Sequence, residues 1–296
     1  MTLAYSTDIY EILLIANDKI HELKDRNIDV VDVAKPPDFE YAHHLSLVVS
    51  KLSPLIGNMI EFAIVSELNR NDWSRYNGKW DRQDPGFPDT IFRWDKAIKP
   101  GIEVKTWFPF ATEITARFRD SQLHFANDQT HVAIVAWMPE HLIYGRPRIM
   151  DIFIDTAKSL AVARDTHYHN PPDYLVFEPE NTTGRTSNLQ QTNTNGYKFQ
   201  GSERDLKKAE AEVASWGRNA KRYSVSPAYQ RKLKSLLGRH SYRLDTNFAK
   251  MDRIEHPGLE EFKTRVLQSE FYGATVEEWG KGLIRSEEGL NRLMNL

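Results

Sequence analysis

There is no cysteine among the 296 residues of this chain. Disulfides and thiolate zinc sites are therefore excluded, and a reducing cytosol is the compartment that fits. A basic leader is missing too: Met1-Thr-Leu-Ala-Tyr-Ser-Thr-Asp8 lacks the n-region of a signal peptide, and no apolar run reads as long enough to span a membrane. A cytoplasmic location without a membrane partner is expected. Neither sign of charge dominates. With 39 Lys and Arg against 41 Asp and Glu, the formal net charge is −2, which excludes a protein that coats nucleic acid through bulk charge. No internal repeat and no heptad pattern is found, so solenoids and coiled coils are excluded as well. What remains, at 40% hydrophobic and 27% charged residues, is ordinary globular material, long enough for one large domain or a core with a smaller one appended.

The charges that are present are unevenly placed. From Val213 to Leu244 there is no Asp or Glu, while Arg218, Lys221, Arg222, Arg231, Lys232, Lys234, Arg239 and Arg243 are basic. Such a stretch is either a solvated helical face or a local surface for gripping DNA. Apolar residues recur at helical spacing over residues 5–24 (Ile9, Ile12, Leu13, Ala16, Ile20, Leu23), with Ser6 or Thr7 as a cap. Residues 27–41, with Pro36-Pro37, read as a linker or extended arm. A second helical region from about His43 to Arg70 is interrupted near Pro54. Its part after the proline is apolar on most sides and contains Glu61. That carboxylate is either paired or metal-linked, because bare burial is costly, or it lies at the margin of the apolar face.

Residues 71–88 read as a polar loop with Trp73, Tyr76, Trp80 and Gln83, and residues 111–127 as a helix or loop rich in phosphate-type donors. The run His131–Met138 predicts a central strand covered on both faces. Ile149–Ile154 and Tyr174–Glu178 read as further strands, with a short helix over residues 156–164. Residues 180–201 are almost wholly amide and hydroxyl side chains; after Gly201 helices are expected over residues 202–216, 226–237, 257–271 and 276–294. His43-His44 and the pair His167 and His169 read as surface histidines, since no carboxylate at useful spacing completes a site. The fold class expected is α/β: a mixed central sheet of about five strands flanked by helices. It divides into a helical N-terminal arm and dimerisation region (residues 1–50), a core (51–201) with its polar loop (180–201), and a helical C-terminal region with a basic face (202–296).

The stretch Pro88-Asp89-Thr-Ile-Phe-Arg-Trp followed by Gly101-Ile-Glu103-Val-Lys105-Thr-Trp reads as two strands joined by a short loop. Side chains alternate along a strand, so Glu103 and Lys105 point one way while Ile102 and Val104 point into a core. If the strands pair, Asp89 is brought beside Glu103. Two acids and one amine at a sheet edge can hold a hard divalent cation and leave a lysine beside a water, the groups that metal-assisted phosphodiester hydrolysis needs. The plain alternative is a structural ion pair between Glu103 and Lys105.

Asp89 with Glu103-Val-Lys105 resembles the signature of the PD-(D/E)XK nuclease superfamily, and residues 50–200 are similar to type II restriction endonucleases of the EcoRV kind. Glu61 lies on a helix 28 residues before Asp89, Gln83 sits in a loop just before it, and Asn181-Thr182-Thr183 follows a strand. The second acid is Glu103 where EcoRV has Asp, and Pro179-Glu180 stand where that family has glycines. The resemblance implies a restriction endonuclease-like core and Mg²⁺-dependent, sequence-specific cleavage of double-stranded DNA to 5′-phosphate and 3′-hydroxyl ends. It further implies a homodimer on a palindromic site, in a restriction system, with no nucleotide cofactor. Asp89, Glu103 and the Val104 carbonyl would hold the metal; Lys105 would act on the water, and Glu61 would support a second metal or orient Lys105. DNA contacts would come from Asn181, Thr182, Thr183, Arg185, Asn188, Gln83, Arg117 and Arg119. Asn and Gln pair with adenine and Arg with guanine. A MutH-like nicking nuclease of the same superfamily and an inactive DNA-binding module are the alternatives.

Overall fold

A computed structural model describes residues 2–29, 31–83, 86–110, 128–168, 175–176, 196–222, 224, 226–245 and 254–295. Of these, residues 2–6, 164–168, 175–176, 196, 198 and 243–245 are described by backbone alone. The chain forms two compact units. The first takes the N-terminal part, returns for its last two strands, and closes with the residues from Pro257 onward; the second contains the stretch Lys158–His256. The C-terminal helices thus belong with the core and not with the basic stretch that precedes them in sequence.

The first unit is a five-stranded mixed sheet flanked by helices, in the order β1 (Lys79–Arg82), β2 (Thr90–Arg93), β3 (Gly101–Trp107), β4 (Thr130–His141), β5 (Tyr144–Thr156). Neighbours run antiparallel except β3 and β4, which are parallel. The apolar run in β4 is covered on both faces, as expected: Val132 to Met138 are all buried. The free edge of β5 is covered by the segment that reads as an arm, which trades backbone hydrogen bonds with it from Asp25 to Val33.

Helices flank this sheet. The first, α1 (Thr2–His21), buries Ile9, Ile12, Leu13, Ala16 and Ile20. Next, α2 (Phe39–Val48) is followed by a 3₁₀ turn (Val49–Leu52) and α3 (Ser53–Leu68), with Pro54 in the first turn of α3, where its missing N–H costs nothing. This run from Phe39 to Leu68 is, by length and composition alone, apolar enough to cross a membrane, the one such run among the described residues and one that the spacing of apolar residues did not suggest. Nor is α3 packed on all sides: Ile56, Ile60 and Ile64 are buried, whereas Leu55 and Phe62 are 47% and 63% exposed. The helix lies against β1 and β3, and Gly57 permits the approach, since a Cβ there would sit 3.2 Å from Thr106 Oγ1. Later in the chain α7 (Pro257–Leu267) packs on β5, with the Phe262 ring 5.8 Å from Trp107 and 5.9 Å from Phe153. The closing helices are α8 (Val276–Gly280) and α9 (Glu287–Met294).

The segment expected as a polar loop, residues 71–88, contains β1 and a buried aromatic cluster. Trp73, Tyr76 and Trp80 are buried around Phe92, with ring centroids 5.2–6.5 Å from it. Burying so much aromatic surface outweighs the polar residues between. In the second unit, α4 (Ala157–Tyr168) begins the stretch; β6 (Leu175–Val176), β7 (Gly196–Phe199) and β8 (Tyr242–Asp245) form a small sheet in that order. There α5 (Glu203–Ala214) and α6 (Pro227–Arg239) bury Ala209, Val213, Tyr229, Leu233 and Leu236 against Phe199.

Candidate active site

The β2–β3 register determines the site. Thr90 lies opposite Ile102 and Ile91 opposite Gly101. Carried one residue further, the same antiparallel register sets Asp89 opposite Glu103. Past that point the strands separate, and backbone groups that would have paired strand to strand are met by side chains. The Asp89 N–H donates to Glu103 Oε2 at 3.1 Å, and the Val104 N–H donates to Asp89 Oδ2 at 2.7 Å. Each acid thus holds the other strand's backbone. An N–H and C=O of one residue leave an extended strand on the same side, so the Val104 carbonyl projects toward the same opening. Gly101 makes the close approach possible: a Cβ there would stand 2.3 Å from Pro88 Cγ. The Phe87–Pro88 peptide is cis.

Lys105 Nζ donates to Glu103 Oε1 and stands 3.8 Å from Asp89 Oδ2. Two acids and an amine therefore converge as the alternation of β3 requires. The Glu103 side chain is only 9% exposed. Its burial pushes the carboxyl up to about 7 against the pull of Lys105, and the charge of Asp89 adds to the rise.

Glu61, on α3, points to the same corner but is held by a partner that the sequence did not suggest. Arg82, at the end of β1, donates from Nε at 3.0 Å and reaches from Nη2 to 2.9 Å; Nη2 also donates to Asn58 Oδ1 at 2.6 Å. Burial raises the Glu61 carboxyl above its ordinary value, the charge of Asp89 adds to this, and Arg82 and Lys105 oppose it. Glu61 is thus close enough to sense both site residues while bonded to neither. The most deeply buried carboxylate of α3 is another one, Glu67, held at 2.7 Å by both Arg26 and Arg70.

Gln83 braces the turn that carries Asp89. Its backbone N–H donates to the Asp89 carbonyl at 2.7 Å, and its Nε2 donates to the Pro88 carbonyl at 2.9 Å. Arg117, Arg119, Asn181, Thr182, Thr183, Arg185 and Asn188 lie outside the described residues. His43 and His44 are exposed; the side chains of His167 and His169 are outside the description.

Among the described residues no group of three or more His, Cys, Asp or Glu is gathered as a metal cage. The donor set here is two carboxylates and a backbone carbonyl. It suits a cation that takes one or two protein carboxylates and completes its shell with water and phosphate oxygens, as Mg²⁺ does. Each carboxylate oxygen already bonded keeps a second lone pair. No family model, curated protein or solved structure matches this chain.

Proposed function

We propose that this protein is a Mg²⁺-dependent endodeoxyribonuclease, a type II restriction endonuclease that cuts double-stranded DNA at a specific sequence as a cytoplasmic homodimer. The observation that carries the reading is the interlocked corner: Asp89 bonded to β3, Glu103 bonded to the Asp89 N–H just before β2, and Lys105 against both. A structural ion pair would need none of the cross-strand bonds.

In this reading Asp89, Glu103 and the Val104 carbonyl would hold Mg²⁺, which when bound would polarise the scissile phosphate and lower the pKa of a water. Lys105 leaves Glu103 for the substrate. Its ammonium orients the attacking water and offsets the charge that builds on the phosphate oxygens. The water oxygen bonds to phosphorus as the bond to the 3′-oxygen breaks; the water gives its proton to solvent and the departing 3′-oxygen takes one from solvent, leaving a 5′-phosphate and a 3′-hydroxyl. Gln83 acts through Asp89, as a positioning residue. Two such centres related by a two-fold axis match two antiparallel strands, which is why a homodimer is part of the reading.

The test is supercoiled plasmid DNA incubated with the purified protein and Mg²⁺. Discrete linear fragments support the restriction reading. Nicked circles alone assign the site to a nicking enzyme of MutH type, and retarded but intact DNA to a binding module; either replaces it.

A further inference from the structure

We propose that the second unit carries its own nucleic-acid contact: the exposed face of α6, with Arg218 beside it, binds the phosphate backbone of duplex DNA without reading its bases. This goes beyond the reading of the Asp89 centre and uses none of its residues.

Charge is the first argument. Helix α5 is neutralised within itself, Lys207 standing 3.7 Å from Glu203 and Lys208 3.1 Å from Asp205. Its Glu212 accepts from Arg239 and lies 3.5 Å from His240 Nε2. Beyond that the segment from Val213 to Leu244 supplies no acid. Arg218, Arg222, Arg231 and Lys234 are exposed and make no ion pair among the described residues. Four cations left uncompensated on a chain of net charge −2 form a local field that the overall charge conceals.

Shape is the second. Tyr229, Leu233 and Leu236 turn one side of α6 into the core, so Arg231 and Lys234, three residues apart, project together on the other. The helix starts firmly, Ser226 accepting from the Tyr229 N–H with Pro227 in the first turn. Its 13 residues span about 20 Å, a length over which duplex DNA presents roughly a dozen phosphate charges. Arg218 borders two hollows, one beside α6 and one beside α5. One is a cavity of about 330 Å³, shared with Trp216 and Lys232, whose Nζ is 5.9 Å from the Trp216 ring centroid. The other, of about 740 Å³, is shared with Lys207, Lys221 and one carboxylate, Glu210. The hollow beside α6 is the one of the two lined by no carboxylate.

Two further observations narrow the partner. A helix that lies on a lipid surface keeps Trp, Phe or Leu on its outer side. Here the large apolar residues of α5 and α6 are spent in their own core, and the exposed large apolar residues lie elsewhere. Amides that would pair with adenine are scarce as well: the Gln230 amide donates to the Ser224 carbonyl at 2.6 Å, which leaves Asn219. The arginines can reach guanine, but with so few amides beside them most of their bonds go to phosphate oxygens, which hold the backbone and carry no sequence.

The experiment uses the full chain in EDTA, with fluorescence anisotropy of a labelled duplex of arbitrary sequence across a salt series. The affinity of the wild-type protein falls linearly with salt on a double-logarithmic plot. Arg218→Ala, Arg231→Ala and Lys234→Ala combined lower that slope by about 3 and weaken binding at low salt by ~10-fold or more. Lys19→Ala, Lys51→Ala and Lys281→Ala combined, with the same change in net charge, leave slope and affinity unaltered; both triple variants melt as the wild type does. Equal losses in the two triple variants, no loss in the first, or wild-type binding to phosphatidylserine vesicles but not to the duplex overturn the proposal. Cleavage with Mg²⁺ is scored separately. A chain that binds as proposed but never cuts defeats the reading of the Asp89 centre alone, and one that cuts while the α6 variant binds normally defeats this inference alone.

Discussion

Glu103 holds its proton more tightly in the folded chain than in the unfolded one, because burial lifts its carboxyl from the ordinary 4.5 to about 7. Between those values the native state binds more protons, so this residue's contribution to stability falls as pH rises, the reverse of the usual carboxylate. Glu103→Gln removes the buried charge. In EDTA it melts higher than wild type at pH 8, by on the order of 1–2 kcal/mol, and the difference shrinks toward zero at pH 5; a difference that grows as pH falls contradicts burial as the cause. Glu67 is the opposite case, a buried carboxylate satisfied by two arginines. Glu67→Ala costs about 1–3 kcal/mol in urea unfolding, since a cavity replaces two charge-assisted bonds. Both Glu61 and Glu67 lie on α3, and the sequence singled out Glu61 because its neighbours are apolar. The choice between them is made by arginines remote in sequence, Arg82 and Arg26, and spacing does not reveal such partners. Because Arg82 occupies Glu61, Glu61→Gln lowers cleavage by no more than about 10-fold, measured as single-turnover rate beside Asp89→Ala.

At the scale of elements, the β2–β3 pair was legible because it obeys simple rules: alternation along β3, an acid just before β2, and a loop short enough to force antiparallel pairing. The aromatic strand before it was not. Residues 71–88 read as loop because the polar residues outnumber Trp73, Tyr76 and Trp80, whose burial depends on Phe92 across the register. Two glycines test the packing account in opposite directions. Gly101→Ala drives a methyl group into Pro88 and parts β2 from β3, which lowers stability by about 1–3 kcal/mol and carries Asp89 away from Glu103, so cleavage falls more than stability alone explains. Gly238→Ala, near the end of α6 with open space around its Cβ position, stabilises by about 0.4–1 kcal/mol in the same unfolding assay. Equal effects of the two substitutions contradict the close approach of β2 and β3.

On the scale of the whole molecule, the mixed five-stranded sheet with helices on it follows from one long apolar strand, β4, and amphipathic helices at either end of the chain. The boundaries between units did not follow, because a chain that leaves its sheet after β5 and returns at Pro257 gives no local sign of doing so. A homodimer is expected to scatter light as twice 34.3 kDa, and a monomer at working concentration contradicts the two-fold part of the reading. The central claim is narrower: Asp89, Glu103 and Lys105 converge to cut a phosphodiester. Its most direct test is the single-turnover cleavage rate of plasmid DNA with Mg²⁺ for wild type, Asp89→Ala and Lys105→Ala. Losses of ~10²-fold or more are expected in both variants, with their folding intact. A wild-type rate retained by Asp89→Ala contradicts the claim.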